Sequence, residues 1–197
     1  MKKIMFNDKY GLTVAVLSGR KTQTRRIILS ADHENRRYEG APRLINPDGT
    51  KSVLAQFSDK RVLSAYAIGE VVAIARAYRD IPELPLLSKQ GVGKLKQSPG
   101  WRNKMFVKPS LMPHYIRITD IRVERLQDIS DEDCLKEGIW RDDNVGLEGT
   151  TYWYHGLSNS SFRTPQEAYA SLINRISGKG TWESNPYVFV YDFELIY

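Results

Sequence analysis

The sequence predicts a single α+β domain, in which a mixed β-barrel is flanked by helices and interrupted by long loop insertions. Strand-like runs outnumber helix-like runs, and they do not alternate in repeated βαβ units. The chain has 197 residues, of which 41% are hydrophobic, and this is enough for one core. We place the insertions at about residues 30–65, 80–113 and 141–163, and we find no internal repeat.

Composition limits the compartment and the partners. No apolar run approaches the ~18 residues that a membrane span needs. The two lysines near the start are not followed by an apolar signal core. Cys134 is the single cysteine, so an internal disulfide is excluded. We therefore expect a soluble cytoplasmic protein that does not contact a membrane, and we make no prediction about its oligomeric state.

The charge is divided unevenly along the chain. Residues 1–116 carry a net charge of +12 and residues 117–197 carry −6. This asymmetry favours a polyanionic partner such as RNA for the basic part. The alternative is that the two halves attract each other within the fold and need no external partner.

The most basic short stretch is residues 17–26. Gly19 can adopt a positive φ and end a preceding helix. If the following residues are extended, Lys21, Gln23 and Arg25 alternate with Thr22, Thr24 and Arg26. One face would then carry a row of cations. The alternative is a solvated edge strand, because lysine and arginine are common on sheet edges.

The first elements are a helix and a strand on either side of the first insertion. Asn7 can cap a helix that runs to about Ser18, with an apolar stripe of Tyr10, Val14 and Leu17. Within the insertion, residues 46–49 have the composition of a hairpin turn. Residues 71–78 are apolar and β-branched, as in a central strand.

The insertion at 80–113 is rich in proline, glycine and lysine. Loops of this length are usually functional or disordered. Its aromatic residues have two possible roles. Trp101 and Phe106 either anchor the loop to the core or line a path for single-stranded nucleic acid together with lysines 89, 94, 96, 104 and 108.

The rest of the chain has clear strand and helix signals. Residues 115–126 alternate with a slip near Thr119 that indicates a β-bulge. Ser130 caps a short helix that ends at Gly138, with Cys134 and Leu135 facing the core. The aromatic-rich insertion at 141–163 follows.

Thr164 then opens the best-defined helix, with Pro165 at its first position, Glu167 completing a capping box and Gly178 closing it. Its predicted buried stripe comprises Ala168, Leu172, Ile173 and Ile176. Residues 187–196 predict a final strand that places Tyr187, Phe189, Tyr191, Phe193 and Leu195 on one face.

Glu137 is unusual because it falls in the last turn of the short helix after Ser130. The helix dipole disfavours a carboxylate there by roughly 0.3–1 kcal/mol at an exposed site. The glutamate is therefore either exposed without a role or paired with a cation. Lys21 is the candidate partner if the helix packs over the first strand.

No metal or cofactor site is expected. His33, His114, His155 and Cys134 are scattered without ligand spacing. No glycine-rich phosphate loop occurs, and no serine lies in a nucleophile-elbow pattern.

Three segments together resemble one family. Residues 19–26 have the pattern Gly-Arg-Lys-Thr-x-Thr-x-Arg, which resembles the signature of the ASCH domain, a small PUA-like β-barrel. Residues 121–139 resemble the strand and helix that follow in that family. Residues 182–193 resemble its last strand, most of all in members carried by phages and prophages.

The resemblance implies a site and two kinds of function. ASCH-type acetylcytidine amidohydrolases use a lysine, a threonine and a glutamate, which fall on Lys21, Thr24 and Glu137. The lysine would activate the threonine hydroxyl, and the glutamate would hold the lysine or contact the base. Other ASCH proteins are thought to bind RNA, and some cut it.

We therefore expect a basic cleft that binds RNA or a nucleotide-like ligand around the three candidate catalytic residues. The contacts to the nucleic acid would come from Arg20, Arg25, Arg26, Arg117 and Trp101. The alternative is an amidohydrolase acting on an acylated cytidine-type nucleoside, or a ribonuclease using the same cleft.

Overall fold

The computed structural model describes residues 1–28, 37–82, 89–143, 149–156 and 161–196. Its strands, numbered along the chain, are β1 (Lys3–Ile4), β2 (Gln23–Ile27), β3 (Tyr38–Gly40), β4 (Arg43–Ile45), β5 (Lys51–Phe57), β6 (Arg61–Leu63), β7 (Val71–Ile74), β8 (Tyr115–Arg125), β9 (Trp140–Asp142), β10 (Thr151–Trp153) and β11 (Tyr187–Ile196). Its α-helices are α1 (Leu12–Leu17), α2 (Lys89–Lys96), α3 (Asp131–Lys136) and α4 (Pro165–Ser177). Short 3-10 helices span Tyr78–Asp80, Pro99–Trp101, Lys104–Phe106, Pro109–Leu111 and Leu126–Asp128.

The main sheet has five strands in the order β1-β7-β8-β11-β2. The β1–β7 pair is parallel and the other pairs are antiparallel. The α+β class is therefore confirmed. Among the described residues β1 and β2 are the sheet edges, and no closed barrel forms. Arg26 on β2 reaches the residue that follows β1, because its Nη2 donates to the carbonyl oxygen of Met5 at 2.8 Å.

The two longest strands, β8 and β11, form the centre of this sheet. Asp120 pairs with Asp192, and the next pair joins Ile118 to Phe193, so the ladder skips Thr119. This is the predicted β-bulge. The final strand is buried on both faces, since Val188 and Val190 are as buried as its aromatic residues. The predicted aromatic face is buried at Phe189, Tyr191 and Phe193, and the opposite face is buried as well.

Helix α1 differs from its prediction at both its start and its buried face. It begins at Leu12 after Gly11, which has φ 65°, and Asn7 instead accepts a hydrogen bond from the Lys9 amide. Val14 is 68% exposed, so it does not belong to a buried stripe. Gly19 adopts φ 72° after the helix, as predicted.

The caps of the later helices match their sequence signals. Ser130 accepts a hydrogen bond from the Asp133 amide at the start of α3. Thr164 and Glu167 form the capping box of α4. Most of the apolar stripe of α4 is buried, but Ile176 is 37% exposed. Its exposure matters because it lies at the mouth of the candidate site.

The insertions are largely ordered in the part of the chain that the structure describes. The first carries a small sheet of β3, β5, β4 and β6, with the predicted turn at 46–49 between β4 and β5. The third carries the β9–β10 pair, whose Trp140 and Trp153 rings stack. Residues 29–36, 83–88, 144–148 and 157–160, with His33 among them, lie outside the described residues.

The second insertion folds over its own small core. Ala73, Ala75, Tyr78, Ile81, Val107 and Met112 form a buried cluster, and Trp101 packs against it. Trp101 therefore anchors the insertion, whereas Phe106 is 59% exposed and does not. None of the helices in the described residues combines the length and apolar character needed to span a bilayer.

Candidate functional site

The segment 20–22 closes the C-terminal end of helix α3. The last carbonyl groups of a helix lack partners inside the helix. Here Thr22 N–H donates to the carbonyl oxygen of Lys136, Lys21 Nζ to that of Glu137, and Arg20 Nη1 to that of Gly138. The chain can turn away after Glu137 because Gly138 adopts φ 106°. This arrangement fixes Glu137 beside Lys21.

Lys21 and Glu137 form a buried ion pair. Lys21 Nζ lies 2.5 Å from Glu137 Oε2, and the two side chains are 1% and 6% exposed. Nζ also donates to the carbonyl oxygens of Gln23 at 2.7 Å and Glu137 at 2.8 Å. The three ammonium hydrogens thus match three acceptors. Burial lowers the pKa of the Lys21 amine from its ordinary value, and Glu137 opposes that shift.

The second oxygen of Glu137 faces Arg25 on β2. Arg25 Nη1 lies 3.3 Å from Glu137 Oε1, while Arg25 Nη2 lies 2.6 Å from Glu124 and 3.1 Å from Asp133. Burial would lower the pKa of Arg25, but the nearby Glu137 and Glu124 raise it above its ordinary value. Lys21 and Arg25, which were predicted to share one face, both reach Glu137 and are paired inside the fold. Arg25 is an internal counter-ion, and our assignment of it as a phosphate contact is corrected.

A second arginine extends this network. Arg122 on β8 lies 2.5 Å from both Asp133 and Asp192 and 3.0 Å from Glu124. Gln23 donates to Asp192 at 2.7 Å and accepts from Arg25. Arg122 and its partners all belong to the second half of the chain, whereas Lys21 and Arg25 pair with acidic residues across the two halves. The alternative interpretation of the charge asymmetry, attraction within the fold, accounts for this part of it.

A cavity of about 450 Å³ opens beside the Lys21–Glu137 pair. Its polar lining includes Lys21, Thr24, Arg25, Arg26 and Glu137, so all three candidate catalytic residues border one space. Its walls are mainly apolar and come from β11, α4 and the segments beside them, including Phe6, Leu126, Leu172, Ile173, Ile176 and Val188. The site is thus a mostly apolar pocket whose charged lining residues are Lys21, Arg25, Arg26 and Glu137.

Tyr169 is a lining residue that sequence reasoning missed. It lies on α4, is 2% exposed and borders the same cavity. Burial, and then the charge of Glu137, raises the pKa of its hydroxyl well above the ordinary value, so the group remains a neutral phenol. The sequence did carry a signal for this residue, because Tyr169 falls on the buried face of α4, the helix that packs on α3.

The other predicted nucleic-acid contacts do not line this cavity. The Arg20 guanidinium stacks on Trp140 at 3.7 Å from the ring centre. Arg117 pairs with Glu194 at 3.0 Å, and Trp101 lies in the second insertion. Arg26 alone of the predicted phosphate ligands is both exposed and at the cavity.

No metal site emerges from the described residues, in which no three His, Cys, Asp or Glu side chains are placed to hold an ion. Burial raises the pKa of the Cys134 thiol to about 12, so this group is a poor nucleophile.

Comparison with protein-family models, with curated proteins and with solved structures finds no match to this chain.

Proposed function

We propose that the chain is an ASCH-type, PUA-like domain that binds a nucleoside or nucleotide-like small molecule in the cavity beside Lys21. The observation that carries the proposal is the cavity itself. Its volume of about 450 Å³ falls within the ~300–1,000 Å³ typical of small-molecule sites. Apolar walls suit the faces of a base, and Thr24 and Arg26 offer polar contacts to its edge and sugar.

The same observations favour a small ligand over an RNA strand at this site. A strand would need several free cations to neutralise its phosphates. Arg25 is held by three carboxylates, Arg20 is stacked on Trp140, and Arg117 faces Glu194. Arg26 remains as one exposed cation at the cavity, which is enough for a single phosphate group.

Calorimetric titration with cytidine, uridine and cytidine monophosphate tests the binding. We expect cytidine affinity to change little between low and high salt, because the ligand is uncharged. Cytidine monophosphate should bind more tightly at low salt and lose that advantage in the Arg26→Ala variant. Failure of all three compounds to bind would refute the proposal.

The contact between Lys21 and Glu137, with Thr24 in the same cavity, favours a second function: hydrolysis of an acylated cytidine. The Thr24 hydroxyl oxygen would attack the acyl carbonyl carbon and release cytidine as the amine, and water would then hydrolyse the resulting ester. A base must first take the hydroxyl proton and then pass it to the leaving nitrogen of cytidine as the C–N bond breaks. Lys21 can serve only after its own proton has moved, and the Glu137 oxygen at 2.5 Å lies in position to receive it.

Conversion of acetylcytidine to cytidine, followed by chromatography, tests this reaction. Thr24→Val retains the side-chain volume and removes the hydroxyl, and it should abolish turnover while leaving cytidine binding within a few-fold. Thr22→Val makes the same change two residues away, outside the cavity lining, and should be active. Equal activity of the two variants would refute the assignment of Thr24. Cleavage of RNA that is lost in Lys21→Met but retained in Thr22→Val would identify a ribonuclease instead, provided that circular dichroism shows the Lys21→Met variant to be folded.

A further inference from the structure

The second insertion carries two adjoining pockets that share no lining residue with the Lys21 cavity. One, of about 580 Å³, lies between α1 and the insertion and is bordered by Arg76, Arg79, Arg102 and Lys104. The other, of about 500 Å³, is bordered by Lys96, Trp101 and again Arg102. The two pockets adjoin at Arg102, which lines both, and we call them together the insertion groove.

The insertion groove is positively charged. Its lining holds five Lys and Arg side chains against two Asp side chains, those of Asp8 and Asp80. Some of this charge is neutralised locally. Lys104 lies 2.7 Å from Asp8, and Arg79 lies 3.4 Å from Asp80. Among the described residues, Lys96 and Arg102 have no carboxylate within ion-pair distance.

Trp101 adds an aromatic surface to these cations. It packs against the second buried cluster, which holds its ring in place. It is nevertheless partly exposed and borders the groove, and the Lys96 ammonium lies 5.9 Å from its ring centre. Cations that follow a backbone, together with a fixed aromatic face for base stacking, are the features by which proteins hold single strands without reading sequence.

We infer that the insertion groove binds single-stranded nucleic acid, at a site separate from the Lys21 cavity. Phosphate groups lie against Arg102 and Lys96, and one base stacks on Trp101. This inference does not depend on the proposed function, because it rests on different residues. It gives the chain a surface for a polymer next to a pocket for a small molecule.

Fluorescence anisotropy with labelled oligouridylate and oligothymidylate tests it, using strands of about 12 nucleotides, within the range that one such site covers. Affinity should fall as salt rises from about 50 to about 200 mM, with a slope of roughly −0.7 per phosphate contact. The Lys96→Ala/Arg102→Ala double variant should bind more weakly and reduce the slope by about 1.4, since it removes two contacts. Lys60→Ala/Arg61→Ala removes the same charge from exposed residues elsewhere and should bind like wild type.

Two further variants separate stacking from folding. Trp101→Leu retains an apolar anchor without an aromatic face and should lose about 5- to 150-fold in affinity. Trp101→Phe should retain most of it. Equal binding by the leucine and phenylalanine variants would contradict the role of Trp101 in stacking.

Four outcomes would overturn the inference as a whole. These are no binding of either strand at low salt, equal losses in the two double variants, displacement of the strand by saturating cytidine, and equally tight binding of a duplex. The Thr24→Val variant should bind the strands like wild type, because Thr24 lies outside the groove.

Discussion

Replacing Lys21 by methionine breaks the buried ion pair and should lower the free energy of unfolding. The substitution keeps an unbranched side chain of similar length and removes the charge. Breaking a buried pair costs about 3–5 kcal/mol, because the remaining charge has lost its partner and cannot reach water. Glu137 would still have Arg25 at 3.3 Å. We therefore expect a loss at the low end, about 3 kcal/mol of unfolding free energy.

Glu137→Gln should cost more than Lys21→Met. It leaves the Lys21 ammonium, which is 1% exposed, with neutral acceptors alone. We expect about 5 kcal/mol. The double variant removes both charges, so its loss should fall below the sum of the single losses by at least about 2 kcal/mol.

Guanidinium unfolding followed by the fluorescence of the four tryptophans measures these differences. The control is an exposed pair of the same residue types, Lys136 and Glu132 on α3, with an N–O distance of 2.9 Å. Lys136→Met and Glu132→Gln should show a coupling of only about 0.3–0.5 kcal/mol. A coupling this small at the Lys21–Glu137 pair would refute the reasoning.

Three further predictions concern the surroundings of the site. Cys134, whose thiol pKa is raised to about 12, should not react with Ellman's reagent in the native protein and should react fully after unfolding; rapid labelling of the folded chain would contradict this. Gly138→Ala should lower the unfolding free energy by about 1–3 kcal/mol, since φ is 106° and the added carbon would lie 3.2 Å from Leu12 Cδ2; an unchanged unfolding midpoint would show that the strain is absent. Burial alone would raise the pKa of Asp133, but the charge of Arg122 holds it below its ordinary value of 3.8. The ionised carboxylate therefore stabilises the folded state above that pH, and this stabilisation is lost as pH falls through the native pKa. The free energy of unfolding should therefore depend less steeply on pH in Asp133→Asn between about pH 4 and pH 2, and an identical slope would contradict the prediction.

Local signals in the sequence predicted much of the fold. The cap at Ser130, the capping box at Thr164 and the bulge at Thr119 depend on a few neighbouring residues, and the structure shows all three. The pairing of Lys21 with Glu137 was also predictable, because a carboxylate at a helix C-terminus needs a cation.

The burial of Arg25 among carboxylates depends on long-range contacts that no local sequence pattern reveals. Its partners Glu124, Asp133 and Glu137 lie about a hundred residues away, on β8 and at α3. An available signal was the alternation of Arg122 and Glu124 with apolar residues on β8. Charged residues on one face of a central strand indicate a covered polar layer, which can hold another arginine.

Helix α2 and the cavity walls also depend on tertiary contacts, so the sequence did not predict them. Gly91 and Gly93 disfavour a helix by about 1 kcal/mol each, yet Leu95 packs against the second cluster within α2. Ile173 and Ile176 have the spacing of core residues, and sequence periodicity cannot distinguish a packed wall from the wall of an empty pocket.

Calorimetric titration of cytidine into the wild type and the Ile173→Trp variant tests the central claim most directly. Ile173 is 8% exposed and lines the cavity, so a tryptophan there would fill the space without touching the charges of the Lys21–Glu137 pair. Arg175→Trp places the same ring at an exposed position of α4, away from the cavity, as the control. We predict saturable binding to the wild type and to the control, with at least about a tenfold loss in Ile173→Trp, or 1.4 kcal/mol. Equal affinity in all three proteins would contradict the claim that the ligand occupies this cavity.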